Sequence, residues 1–561
     1  MARLLRAVLH LSRGIHALVK KSDPSPLTEP HYEVLNPQGY MPDVTLASLA
    51  ERPESLSGKV IYIINSWPVG SGSELDEILS KIGDFLKEEF PEATIVTRAK
   101  PSPYHTDDPE FWDEVAQRAD AFVYGAAPSC ATTAYALRYT GLLEKRDVPG
   151  VPVVFENLTE DARLTCDEMG MPVRWAAVPY PPVKITGARM AAIMEDVKAA
   201  LTAPLRQEER QTGTRTPSPP KRIACLGTFD EINAHFCDRG LTDGFPIVPP
   251  SEERVAAMLR GTKHEPEEVV TTTMWPAQWN VTVEKVAIVG VMAGCKPHYM
   301  PVLLATVEAF SKCGSAVRST NSFSYMRVIN GPMRREMGMN SGTYALGPGN
   351  HANATIGRFL SLAVTSLGGG QIGVNLMGTQ GNVSSYAFCF PENEEESPWE
   401  SFASEKGYGP HASTLTMFAT GWSHCGNYLG GSLDDFARAM AQFTYPSGMA
   451  ILVSPARARE WARSGQSKDE FKEYVWSHAT LPMKTFRQDS YYKKFIEPEL
   501  RGKAAQESRW PRRYLGLSDD AIVPVYPREG IQVVVVGADQ NPMIQGWKSD
   551  YPTTVSIDKW R

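Results

Sequence analysis

Short apolar runs alternate with amphipathic stretches over residues 58–202. Val60–Ile64 is a compact β-rich run after Gly58, and Glu74–Phe90 then places Leu75, Ile78, Leu79, Ile82 and Leu86 at helical spacing. Ala93–Val96, Ala121–Tyr124 and Val153–Glu156 repeat the strand pattern, while Glu110–Arg118 and Thr132–Lys145 repeat the helical one. Alternation of this kind predicts a parallel sheet covered by helices on both faces. Such sheets bind ligands beyond the carboxyl ends of their strands. The loops at 66–73, 126–131 and 157–163 should therefore share one rim.

Residues 203–222 (APLRQEERQTGTRTPSPPKR) carry almost nothing apolar and read as a linker. Beyond it the periodicity weakens. Val283–Val291 and Pro301–Phe310 predict two consecutive helices, residues 318–382 are dense in Gly, Asn, Ser and Thr and predict tight loops, and Gln532–Gly537 predicts a buried strand. The fold class expected is α/β: an N-terminal flavodoxin-like open parallel sheet over 33–202, then a larger α+β domain over 223–561. At the other end, Leu4, Val8, Leu11, Ile15 and Leu18 share one helical face among Arg3, Arg6, Arg13, Lys20 and Lys21. This predicts an amphipathic helix or arm within 1–32, serving as a targeting segment, a membrane-surface helix, or a helix docked on the body or on a second subunit.

A length of 561 residues exceeds what one hydrophobic core supports, roughly 250–300 residues, so two or three domains are expected. The formal net charge of −7 is small for this size and argues against nucleic acid as a partner. No run approaches the ~18 apolar residues of a membrane-spanning helix. Eight scattered cysteines make no disulfide framework; they indicate a reducing compartment, the cytoplasm by default, with thiols available for chemistry.

The candidate chemistry starts with Cys130. The run Asp120-Ala-Phe-Val-Tyr-Gly-Ala-Ala-Pro-Ser129-Cys130 delivers it from a strand to the start of a helix, where backbone N–H groups lower a thiol's pKa. Ser129 fits the turn and a helix cap. The plainer reading is a small cysteine packed at the sheet edge. Cys295 and His298 stand in Ala-Gly-Cys-Lys-Pro-His at the break between the two predicted helices, as a thiol and its base or as two metal ligands. Lys285, Lys296 and His298 would lower the Cys295 pKa, and His424-Cys425 would complete a zinc or iron site.

Gly347-Pro-Gly-Asn350-His-Ala-Asn353-Ala-Thr-Ile-Gly-Arg358 reads as a loop entering a helix capped by Asn353, with Arg358 suited to a carboxylate or phosphate. The alternative is a structural salt bridge at Arg358. Asn330, Asn350 and Asn353 are candidates for a polar pocket wall, or for turns. In Glu392-Asn-Glu-Glu-Glu396, Glu392 lies nearest an apolar run and is the candidate acid or base; a run so acidic is otherwise a solvated surface. No G-x-G-x-x-G follows a predicted strand and no P-loop spacing is present, so neither NAD nor flavin is expected.

Several strings together resemble the UGSC-type (seleno)protein family: Leu35-Asn-Pro, Arg52-Pro-Glu-Ser-Leu-Ser-Gly-Lys59, Ala121 to Cys130, and Leu143-Glu-Lys-Arg-Asp-Val-Pro149. The second part resembles the region that accompanies such domains, through Asp243 to Pro250, Thr282-Val-Glu-Lys285, Met292 to Pro297, Asn330-Gly-Pro332, Gly347 to Arg358 and Glu392 to Trp399. The family's name motif is selenocysteine-Gly-Ser-Cys in this strand–loop–helix position, which implies selenol or thiol redox chemistry. Here Ala127 and Pro128 stand at the first two positions, so no redox pair forms within the loop.

The expected function is that of an enzyme acting on a small, organic, anionic substrate by thiol chemistry. Oxidoreduction comes first and carbon–sulfur or carbon–heteroatom cleavage next. Cys295 or Cys130 would be the working thiol, His298 the acid/base, and Asn353 with Arg358 the anion holder. The alternatives are a metal-dependent hydrolase or lyase, and a first domain serving only as scaffold for an oligomer, a homodimer being expected.

Overall fold

β-branched and aromatic residues dominate the runs at 60–65, 121–125 and 150–155, which suits strands buried on both faces. A computed structural model describes residues 29–66, 74–181, 185, 187–420, 432–442, 448–489, 491–501 and 508–561. The predicted N-terminal helix, residues 67–73 of the first rim loop and His424-Cys425 lie outside the described residues.

The first unit runs β1 (Val60–Asn65), α1 (Glu74–Glu89), β2 (Thr94–Ala99), α2 (Pro109–Arg118), β3 (Ala121–Gly125), α3 (Cys130–Glu144), β4 (Gly150–Phe155), α4 (Thr159–Met169), β5 (Ala176–Val178) and α5 (Gly187–Thr202). Its five strands are all parallel, in the order β2-β1-β3-β4-β5. This is the flavodoxin-like arrangement, with its topological switch point between β1 and β3. Leu75, Ile78, Leu79, Ile82 and Leu86 are all buried, as the helical spacing requires. One core holds Ile61, Ile63 and Val123 with residues of α1 and α5. The opposite core holds Tyr62, Ile64, Phe122 and Tyr124 with Trp112 and Tyr139. Trp112 is fully buried and stacks on Tyr139 at 4.6 Å. Trp112→Ala should therefore destabilise the protein by about 3–5 kcal/mol in urea denaturation, the usual effect of an emptied aromatic site.

Residues beyond 202 stay packed on this unit for some distance. Glu209 is buried and ion-paired with Arg174 at 2.7 Å, and Gly213–Arg215 pairs antiparallel with Val44–Leu46. Tyr32–Leu35 in turn pairs with Ile223–Gly227, whose neighbours belong to the second region.

The second region is α+β. Helices α6 (Val283–Met292), α7 (Met300–Cys313) and α8 (His351–Ser366) pack on one face of a sheet built from β6 (Ser324–Asn330), β7 (Cys389–Pro391), β8 (Thr414–Thr420) and, near the C-terminus, a strand at Thr553–Ser556. Alternation along the strands sends Tyr325 and Ile329 to the helices, and Met326 and Val328 to a second sheet. That sheet comprises β9 (Met449–Val453), β10 (Ile531–Val535) and β11 (Ile544–Lys548), in the order β10-β9-β11. Its far face carries Phe436, Phe471 and Val475. The layers are thus helices, sheet, sheet and helices. Among the described residues no helix is long and apolar enough to cross a membrane.

Candidate functional site

The loop after β3 turns tightly: the Ser129 N–H donates to Ala127 O at 2.7 Å, and the Thr132 hydroxyl donates to Ser129 O at 2.8 Å. Ser129 occupies the cap position in an extended conformation, without a side-chain capping bond. Cys130 is the first residue of α3, as expected, and is fully buried. Its thiol is not acidified. Burial pushes it up to about 12, with the Asp161 charge adding to the effect; Arg318 and the backbone N–H groups at the helix start pull the other way. A helix N-terminus is worth typically 0.3–1 kcal/mol, about one pKa unit at most, so desolvation wins.

Arg318 belongs to the second region yet reaches into the first. Its Nε and one terminal nitrogen donate to Asp161 Oδ1 at 3.0 and 2.8 Å, and the remaining nitrogen donates to Glu168 at 2.7 Å. A further bond runs to the Thr165 hydroxyl at 2.7 Å. Arg318 and Asp161 are both nearly inaccessible. Asp161 Oδ2 is buried without a hydrogen-bond partner. Burial raises this carboxyl to about 6, against the opposing pull of Arg318. A buried base near neutrality thus stands within electrostatic range of the Cys130 thiol, held by a residue of the other region.

Other groups close this rim. Tyr104, after β2, is pushed to about 12 by burial, then by Tyr135 and Cys130. Its ring lies 6.2 Å from Phe495 of the second region. His105 is lowered by burial and by Lys100. At the end of β1, the Ser66 hydroxyl is buried without a hydrogen-bond partner, directly at the switch point.

The Cys295 neighbourhood differs from expectation. Cys295 is partly exposed, but burial of its sulfur raises it to about 12, with Thr355 and Arg358 opposing and Cys389 adding. His298 is exposed, and burial and Lys296 lower it. The imidazole tied to this cluster is His351, whose Nδ1 lies 3.4 Å from the hydroxyl of Tyr299; burial and Cys295 in turn raise the Tyr299 pKa. His351 was readable from its place at the first position of α8, inside the Gly347–Arg358 segment. Lys285 is not a neighbour of Cys295: it lies in the first turn of α6, and the seven residues on to Met292 carry the helix about 10 Å away before Cys295 is reached. Lys285 is buried, donates to Asn36 O at 2.6 Å and lies over the Tyr40 ring at 5.0 Å. Burial lowers its pKa to about 8. Its protonated form is therefore disfavoured on folding, so its contribution to stability is present at high pH and lost as pH falls through about 8. Lys285→Met should flatten the rise in stability that the native protein shows above that pH in denaturation at graded pH.

Arg358 is not free for an anion. It donates to both oxygens of Asp243, at 2.7 and 2.8 Å, and to Phe245 O and Pro246 O. The helix cap is Asn350, whose Oδ1 accepts from the Asn353 N–H at 3.0 Å, because Asn353 already lies inside the helix. Asn353 itself is buried and donates to Asn340 O and Ala345 O, pinning the loop.

Asn330 and Glu392 do meet: Asn330 Nδ2 donates to Glu392 Oε2 at 2.5 Å, and both are fully buried. Burial raises Glu392, with Lys468, the Phe402 N–H and Asn330 opposing. Glu394 and Glu395 clamp Arg334, and the run divides: Glu392 is buried, whereas Glu395 and Glu396 are exposed. Among the described residues no group of three or more His, Cys, Asp or Glu is placed to hold a metal.

The UGSC family model matches residues 33–207. These residues form a UGSC family domain. No curated protein matches the chain. Solved structures similar to it include a point mutant of a flavo di-iron protein from Thermotoga maritima, at 16% identity and a TM-score of 0.19, covering 27% of this chain and 36% of that one. Another is the flavodoxin-like domain of a Synechococcus sp. protein, at 14% identity and a TM-score of 0.18, covering 25% of this chain and 95% of that one. This chain spans little more than a third of the di-iron protein's length. The fold assignment rests on the strand order itself. Within the UGSC domain, two of the strings that carried the resemblance meet: Arg52 binds Glu144 through paired 2.9 Å bonds.

Proposed function

We propose that the protein is an enzyme whose chemistry takes place at Cys130, where Arg318 of the second region reaches into the UGSC domain. Asp161 is the general base and Arg318 the residue that positions it. The observation that carries this reading is the unpaired, buried Asp161 oxygen near a thiol that burial holds neutral. A neutral thiol within electrostatic range of a base of pKa about 6 does not rest as a thiolate. The proton leaves sulfur only as sulfur bonds to an electrophilic carbon. In that step the C–S bond forms, the carbon–heteroatom bond breaks, and the Sγ proton passes through Asp161 to the leaving group.

The substrate class is a small organic molecule with an electrophilic carbon. With alanine at position 127, a disulfide cycle would require a thiol outside the loop, so carbon–heteroatom cleavage is the reading preferred over oxidoreduction. Chloroacetamide serves as a generic carbon electrophile. Asp161→Asn, which keeps shape and removes the base, should slow labelling of Cys130 about 10²–10⁴-fold, the usual contribution of a general base. Equal labelling of native and Asp161→Asn protein would remove the basis of the proposal.

A further inference from the structure

A cavity of about 380 Å³ opens where the two sheets of the second region part company. Its walls come from the edge strands β7 and β11, the start of α8 and the loops at 345–348 and 383–387. Close approach of α8 makes the enclosure possible: a Cβ on Gly357 would stand 2.8 Å from the backbone of Ala387. The volume falls at the small end of ligand pockets, about 300–1,000 Å³.

Three features give this cavity a chemical character. No lining residue is charged, and Phe388, Phe390, Tyr386 and Trp547 supply aromatic walls. Trp547 is only 7% exposed, packs its ring 4.6 Å from Phe388, and has its indole Nε1 buried without an acceptor. An indole N–H can only donate, and a buried donor left unpaired is unfavourable by about 1–3 kcal/mol. Finally, large apolar side chains stand exposed at the mouth: Leu346 and Val383, with Tyr386 facing Phe245 at 5.4 Å.

We propose that this cavity binds a small neutral aromatic molecule whose oxygen accepts a hydrogen bond from Trp547 Nε1. The absence of lining charge disfavours carboxylates and amines, because an ion entering here would lose its hydration without a counter-charge. The site is separate from Cys130 and stands or falls independently of the reading given above.

Three probes and two variants test it by calorimetric titration of the full chain. Acetophenone carries the ring and the acceptor, ethylbenzene the ring alone, and benzoate the ring with a charge. Acetophenone should bind about three- to tenfold more tightly than ethylbenzene, as one hydrogen bond allows. Trp547→Phe should abolish that preference. Ala354→Leu, at a partly exposed lining position, should abolish binding of both by filling the cavity. Equal affinity of acetophenone and ethylbenzene for the native protein would overturn the role of Trp547. Benzoate binding as tightly as acetophenone would overturn the neutral class. Binding that survives Ala354→Leu would place the ligand elsewhere.

Discussion

Arg318→Ala lowers the unfolding free energy by about 3–5 kcal/mol, the usual consequence of stranding a buried charge. Arg318 and Asp161 have almost no accessible surface, and Arg318 makes four hydrogen bonds into α4. Its removal leaves Asp161 and Glu168 facing each other in a water-poor site. Urea denaturation of native and variant protein measures the difference. A loss of under ~1 kcal/mol, typical of an exposed pair, would contradict the burial described. The sign of the pH dependence follows. Asp161 is raised from 3.8 to about 6, so its contribution to stability is present below the lower value and lost as pH rises through the upper one. Without Arg318 the loss with rising pH becomes steeper.

Glu144→Ala produces a loss of similar size, again about 3–5 kcal/mol. The Glu144 carboxylate accepts from the N–H groups of Ala50 and Gly150, each at 2.8 Å, and from both terminal nitrogens of Arg52 at 2.9 Å. Both side chains are fully inaccessible. Truncation therefore strands a guanidinium and two N–H donors within the UGSC domain. The double variant Arg52→Met/Glu144→Ala should recover part of the loss, because the unpaired guanidinium is then gone. If the double variant is destabilised by the sum of the two singles, Arg52 and Glu144 do not act as a pair.

These two clamps explain which parts of the molecule were legible in the sequence. Periodicity reports local burial, so α1 was readable from Leu75, Ile78, Leu79, Ile82 and Leu86, and the parallel sheet from its alternation with helices. Which distant polar groups meet leaves no periodic trace. Arg358 and Asp243 lie 115 residues apart in sequence, as do other partners at comparable distances: Lys285 and Asn36 at 249, Arg318 and Asp161 at 157. The strings that resembled the UGSC family and its companion region contain Asn36, Arg52, Glu144, Asp243, Lys285, Asn330, Arg358 and Glu392, and the structure joins these as Arg52–Glu144, Asn36–Lys285, Asp243–Arg358 and Asn330–Glu392. As polar tie points they hold the architecture, which accounts for Arg358 and Asn353 being engaged rather than open to an anion.

The candidate thiol illustrates the same limit. The strand–loop–helix pattern placed Cys130 at a helix start, but a helix start acidifies a thiol only while water or a counter-charge is at hand. Burial at 0% exposure reversed the expected direction. Asp161 carried no signal of its own, since an acid in the first turn of a helix is ordinary. Its significance depends on Arg318, whose arrival from the second region no local pattern announces.

The central claim is that Asp161 takes the Cys130 proton. The most direct measurement is the rate of Cys130 labelling by chloroacetamide across pH values on both sides of about 6, with peptide mass spectrometry to isolate this thiol. The base must be ionised to act, so the rate should climb as Asp161 deprotonates and then level off above that pH. A rate that instead rises without a break far beyond it would report a free thiolate in equilibrium with a thiol near 12, and would contradict the account.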